Sequence, residues 1–175
     1  ASDVYKRQLV AERELAREPG STVIHNLITS KAVPEIIREN GGEPVRTRVG
    51  HSFIKAKMAE TNAVFGGEHS AHYYFRDFWR ADSGMLAAMH VLAALGQQDK
   101  PLSEMMAKYN RYAASGEINS RLDSAEAQAD RTEAVVKAFA DRAENVDRLD
   151  GVTVELKDGN WFNVRASNTE PLLRL

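Results

Sequence analysis

Apolar and polar positions along the first two thirds of the chain follow two rhythms, one of helix period and one of strand period. Residues 9–17 (LVAERELAR) carry apolar side chains at helical spacing and are stopped by Pro19-Gly20, so they predict the end of a helix. The β-branched run TVIHNLI (22–28) has the length and composition of a strand. A helix follows in KAVPEIIREN (31–40), terminated by Gly41-Gly42, and then a strand in PVRTRV (44–49). HSFIKAKMAETN (51–62) returns to helix, with Phe53, Ile54 and Met58 at helical spacing, and AVFGGE (63–68) is a short strand running into a glycine turn. After a polar-aromatic stretch, SGMLAAMHVLAALG (83–96) is apolar nearly all round, which predicts a buried helix. PLSEMMAKYNRYA (101–113) reads as one more helix. Strands alternating with helices of about 10–15 residues predict a parallel sheet with helices on its faces.

The pattern changes at Ser115-Gly116. Beyond it the sequence predicts one strand (117–122), a long helix over about 125–146, and three short strands, VTVELK (152–157), NWFNVRA (160–166) and PLLRL (171–175). Asp158-Gly159 suits a hairpin turn between the first two. The expected organisation is an α/β/α sheet domain over residues 9–114 and a small α+β domain over residues 115–175, cut short inside its last strand at Leu175. No internal repeat or low-complexity segment is present.

Composition narrows the function classes. The 175 residues are 43 % hydrophobic and 27 % charged, with a net charge of -2, an ordinary globular balance without the basic excess of a nucleic-acid binder. Without cysteine there are neither disulfides nor thiolate metal sites. No apolar run approaches the ~20 residues of a membrane span, and the first ten residues lack the apolar core of a signal peptide. The expectation is a cytoplasmic protein without nucleic-acid or membrane partners. The chain does not begin with methionine, and SDVYKRQ (2–8) is similar to the translation of a transposon-type sequencing adapter. Residues 1–8 are therefore expected to be non-native and to lie outside the fold.

Three stretches carry candidate chemistry. In GGEHSAHYYF (66–75) two glycines permit a tight turn, after which Glu68, Ser70 and His72 alternate; in an extended segment all three project to one side. A carboxylate, a hydroxyl and an imidazole on one side can grip a polyhydroxylated ligand, although a solvated strand-to-loop transition has the same pattern. In RVGHSFIK (48–55), Gly50 and His51 fall at a strand-to-helix turn, and Ser30-Lys31 follows the preceding strand similarly. Such turns lie where open α/β sheets bind ligands; a structural histidine and a solvated lysine are the plainer alternatives. In RASNTEP (165–171), Arg165 offers a planar fork, and Ser167, Asn168 and Thr169 add hydroxyl, amide and backbone donors that can wrap a phosphate. An Asn-centred turn with capping hydroxyls is the alternative.

Taken together and in this order, these residues resemble the α-D-phosphohexomutase superfamily, bacterial phosphomannomutase/phosphoglucomutase most closely, over its third and fourth domains. GGEHSAH is similar to that family's sugar-specificity loop, with Ala71 where the family commonly has glycine. RASNTEP is similar to its phosphate-binding loop, and VGHSFIK to the segment whose histidine reaches the active site. The resemblance implies an α/β/α domain III and an incomplete, TATA-box-binding-protein-like domain IV. It implies substrate contacts at Lys31, Glu68 and Ser70, phosphate contacts at Arg165, Ser167, Asn168 and Thr169, and acid/base candidates at His51 and His72. For the intact enzyme it implies interconversion of hexose 1- and 6-phosphates, of mannose or glucose, through a phosphoserine and a hexose 1,6-bisphosphate, with Mg²⁺. The serine and metal loops of the family do not occur in this sequence. The resemblance therefore implies a fragment, inactive alone and without metal ligands. A phosphoglucosamine mutase fragment and a non-catalytic sugar-phosphate binding module are the alternatives.

Overall fold

The computed structural model describes residues 3–167 and 170–175, and the chain divides into two units, residues 1–113 and 114–175. In the first unit, α1 (Asp3–Arg17) ends at Pro19-Gly20, with Gly20 at φ 82°. Strand β1 (Thr22–Asn26) is central, flanked by β2 (Glu43–Thr47) and β3 (Phe65–Gly67), both parallel to it. Two short strands, β4 (Tyr73–Phe75) and β5 (Ala81–Asp82), extend the sheet in antiparallel register to give the order β2-β1-β3-β4-β5. Between the parallel strands run α2 (Ala32–Glu39) and α3 (His51–Thr61). Then come α4 (Gly84–Leu95) and α5 (Leu102–Ala107).

Alternation along the strands divides the core. Val23, Phe65, Tyr73 and Phe75 face one side, against Val10 and Leu15 of α1, Val33 and Ile37 of α2 and Ala87 of α4. Ile24 and Tyr74 face the other, against Ile54 and Met58 of α3. The α3 layer lies so close that a Cβ on Gly66 would come within 2.8 Å of Ile54 Cγ2, so β3 needs glycine at that point.

Two features of the first unit's helix packing depart from the sequence reading. First, α4 is not buried: Ala87 and Val91 face inward, while Met85, Met89 and Leu92 are 73 %, 57 % and 65 % exposed. Apolar composition does not reveal how many neighbours an element has; α4 packs on α1 and offers its opposite stripe to solvent. Second, residues 3–8 are not outside the fold. They form the start of α1, with Arg7 and Gln8 buried and Tyr5 partly buried, its hydroxyl donating to Asn110 at 2.7 Å.

In the second unit five antiparallel strands take the order β6-β10-β9-β8-β7. They are β6 (Asn119–Arg121), β7 (Ala143–Asp147), β8 (Val152–Leu156), β9 (Trp161–Ala166) and β10 (Leu172–Arg174). One helix, α6 (Ala125–Phe139), is capped by Ser124, whose side chain accepts the N–H of Ala127 at 3.1 Å. It sets Val136 and Phe139 on Val152, Val154, Leu156 and Phe162. The expected helix to residue 146 is corrected: α6 stops at Phe139, and Ala143–Asp147 is a strand. Its backbone pairs with β8, Asp147 opposite Thr153 and Ala143 opposite Leu156, and those ladder bonds outweigh local helix preference. Gly159, at φ 86°, turns the β8–β9 hairpin as expected.

Candidate functional site

The carboxyl ends of β1, β2 and β3 lie side by side, and the segments leaving them bear the candidate residues of the first unit. Beyond β2, Gly50 adopts φ 130°, which a side chain would strain, and His51 is the first residue of α3. Beyond β3 the chain does not stay extended. Residues 68–71 fold into a tight turn in which the Glu68 N–H donates to His72 O at 3.0 Å and the Ala71 N–H to Glu68 O at 3.3 Å. Glu68, Ser70 and His72 nevertheless line one cavity of about 410 Å³, with Gly50 just before α3, His51 and Lys55 from α3, and Tyr74, Ala81 and Asp82 from the antiparallel strands. The turn, not strand alternation, brings them together. Ala71 at φ 65° occupies the left-handed conformation that the turn demands.

Glu68 is the best-held side chain of the cavity and is 3 % exposed. The Tyr74 hydroxyl donates to Oε1 at 2.7 Å. The Gly50 N–H donates to Oε2 at 3.2 Å, and Asn26 Nδ2 donates to the same oxygen at 3.5 Å. Below the turn, Arg7 Nη1 donates to the Glu68 backbone carbonyl at 2.6 Å. Burial and the neighbouring Glu68 carboxylate push the Tyr74 phenol far above its ordinary value, so it stays protonated and keeps donating. Neutral donors thus fix the carboxylate, and its remaining lone pairs can accept from ligand hydroxyls. On the exposed rim, His72 Nδ1 meets Asp82 Oδ2 at 2.7 Å.

Lys31 precedes α2 beyond β1, half-buried, and is not among the residues lining this cavity. Arg165 and Ser167 belong to the second unit, at the end of β9. The Ser167 N–H donates to Leu172 O at 2.8 Å and closes the loop toward β10. Opposite Arg165 in the ladder stands Arg174, whose guanidinium reaches Glu170 at 2.8 Å. Among the described residues, no carboxylate forms an ion pair with Arg165. Asn168 and Thr169 lie outside the described residues. Within the described residues no group of three or more His, Cys, Asp or Glu could hold a metal ion, and no helix is long and apolar enough to cross a membrane.

Sequence reasoning missed Tyr74, Asp82, Lys55 and Asn26. Lys55 stands four residues after His51, one helical turn along α3, which was a usable signal. Asn26, Tyr74 and Asp82 join the site through sheet pairing between segments that look unrelated in sequence.

Residues 7–112 match the phosphoglucomutase/phosphomannomutase α/β/α domain III, and residues 117–175 match the C-terminal domain of the same family. The chain is 41 % identical over 169 residues to proteins named phosphohexose mutases from Xanthomonas campestris, covering 95 % of this chain and 37 % of the relative. It is 41 % identical over 169 residues to an Escherichia coli phosphomannomutase, covering 95 % and 36 %. A crystal structure of a phosphoglucomutase/phosphomannomutase family protein from Burkholderia thailandensis superposes with a TM-score of 0.82 at 31 % identity, over 98 % of this chain and 36 % of that one. The chain thus spans little more than a third of the length of these relatives. It belongs to the phosphoglucomutase/phosphomannomutase family.

Proposed function

We propose that this chain supplies the sugar-binding and phosphate-binding parts of a phosphohexomutase that interconverts hexose 1- and 6-phosphates, of mannose or glucose. The observation that carries the reading is the Glu68 carboxylate: buried, held by neutral donors and lining an open cavity beside Ser70 and His72. Such a carboxylate accepts from two adjacent ring hydroxyls, which look alike when the sugar enters in either of two opposed orientations. Lys31 adds a substrate contact, and His51 and His72 are the acid/base candidates. Arg165, Ser167, Asn168 and Thr169 take the distal phosphate, and the lack of an ion pair on Arg165 among the described residues leaves its planar fork available.

In the whole protein a phosphoserine outside this chain gives and regains the phosphoryl group, with the hexose 1,6-bisphosphate as intermediate. Mg²⁺, for which the described residues of this chain offer no ligand cluster, would supply charge neutralisation for phosphoryl transfer in the whole protein. The chain's own residues bind and orient the sugar and hold its protons.

The test is titration of the isotope-labelled chain with glucose 1-phosphate and mannose 1-phosphate. Amide shifts are expected at residues 68–72 and near Arg165. Glu68→Gln should weaken the sugar-dependent shifts by roughly tenfold or more, the loss of one charge-assisted bond of about 1.5–3 kcal/mol. Inorganic phosphate should move only the Arg165 region. Hexose phosphates that leave residues 68–72 unmoved would remove the sugar-site reading.

A further inference from the structure

Helix α4 carries a surface that neither the core nor the sugar-site reading accounts for. Across residues 83–98 (SGMLAAMHVLAALGQQ) the chain has no aspartate, glutamate, lysine or arginine. The one titratable side chain of the helix, His90, turns inward: its ring stacks on Phe75 with centroids 5.6 Å apart, and Nε2 lies 3.1 Å from Glu14 Oε1. Ala87 and Val91 are buried on that side as well. The opposite side exposes Met85, Ala88, Met89, Leu92, Ala93 and Gly96, which recur at separations of three and four residues and so form one stripe along the helix. A solvated helix face ordinarily carries charged groups, and an uninterrupted apolar one marks a contact surface.

We infer that this stripe receives a second copy of the same chain, with the two α4 helices packed antiparallel about a two-fold axis. Charge favours a copy over an unlike partner. A two-fold axis through the stripe brings each group close to its own counterpart, so a charged residue there would meet its own charge. The stripe has none. A partner with a charged face would find no opposite charge on it, and its own groups would lose water without compensation. Shape favours the same arrangement. With the axis at the middle of the stripe, Met89 of one copy lies near Leu92 of the other, Ala88 near Ala93 and Met85 near Gly96. The small residues leave gaps into which the long side chains fit, and the unbranched thioethers adapt to them. The contact is short, however. The twelve residues of α4 span about 18 Å, so one helix pair buries less than the roughly 800 Å² per partner of a standard interface. Association should therefore be weak, with a Kd on the order of 10–100 µM, looser than standard interfaces achieve.

Sedimentation equilibrium of the whole chain at about 5 to 500 µM tests this, since that range brackets the expected Kd. Wild type should pass from monomer to dimer mass across it. Met89→Lys should stay monomeric throughout, because the two new ammonium groups lie within a turn of each other across the axis. Leu92→Lys should behave in the same way. Both side chains are exposed, so the thermal transition of each variant should stay in place, which separates lost association from lost folding. An equimolar mixture of Met89→Lys and Met89→Glu should regain the dimer that neither forms alone. Ile118→Lys, at an exposed apolar residue of the second unit, should dimerise like wild type. A wild-type chain that remains monomeric to the top of the range would overturn the inference and leave the stripe to an unlike protein or to another part of a longer polypeptide. A dimer that survives both α4 lysine variants would overturn it too, as would one lost only in Ile118→Lys. A mixture that stays monomeric while both its components remain folded would remove the two-fold pairing.

Discussion

Ala71 concentrates a conflict at one residue. Its φ of 65° is left-handed, which costs a side-chain-bearing residue roughly 1–2 kcal/mol. Glycine there adds roughly 0.5–1 kcal/mol of unfolded-state freedom, and it forfeits the packing of the Ala71 methyl against the core. The steric relief is the larger effect by a narrow margin. Ala71→Gly should therefore stabilise the chain by about 0.5 kcal/mol, read as a higher denaturant midpoint at unchanged slope. A lower midpoint would mean that the methyl contact dominates. This position was half legible: the resembling family's glycine pointed to it, but only the folded turn gives the reason. A second residue, His25, was not legible as special at all, since in TVIHNLI it is simply one polar position in a strand. It is buried, hydrogen-bonded through Nδ1 to Asn26 O at 3.1 Å and Thr29 Oγ1 at 2.9 Å. Burial lowers its pKa from 6.5 to about 4, Arg46, Arg7 and Arg38 push the same way, and the bond to Asn26 opposes them. The unfolded chain thus binds a proton that the folded chain refuses. His25's contribution to stability is intact above pH 6.5 and declines as pH falls toward 4, by at most about 1.4 kcal/mol per pH unit. Denaturation at several pH values across that window should show the decline, and His25→Asn should flatten it.

Among the elements, length decided what could be read in advance. The longer strands and α1, α2 and α3 carry enough turns or alternations for their period to show. Strands β4 and β5 have three and two residues, too few for any period, and they exist because β3 offers a free edge. The end of α6 was invisible because no glycine or proline lies between Ala125 and Val146; β8 captures residues 143–147 instead. The start of α1 shows how a sequence-level suspicion and a packed structure can diverge. Whatever the origin of residues 1–8, those from Tyr5 onward are integrated: Arg7 and Gln8 are buried and Tyr5 joins Leu9, Ile36 and Met106. Deleting them should lower the melting temperature by several degrees, given that the loss of such buried contacts costs on the order of 1–3 kcal/mol. An unchanged transition would show that this part of α1 adds nothing to stability.

At the scale of the whole chain, the candidate site was legible as a set of residue types and illegible as an arrangement. Glu68, Ser70 and His72 stand out because they alternate directly after two glycines, within seven residues. The groups that hold them come from β1, the start of α3 and β4 with β5, and tertiary pairing leaves no trace in the local pattern. The outward stripe of α4 has a separate consequence, and it is a chemical one. Thioethers at Met85 and Met89 stand in solvent, whereas Met58 and Met106 are 0 % and 9 % exposed. Peroxide should convert the first pair to sulfoxides well before the second, and the order can be read by peptide mass spectrometry. Those two sulfur atoms are thus built-in reporters: anything that settles on the α4 surface should slow their oxidation and leave the chemistry of the buried pair unchanged.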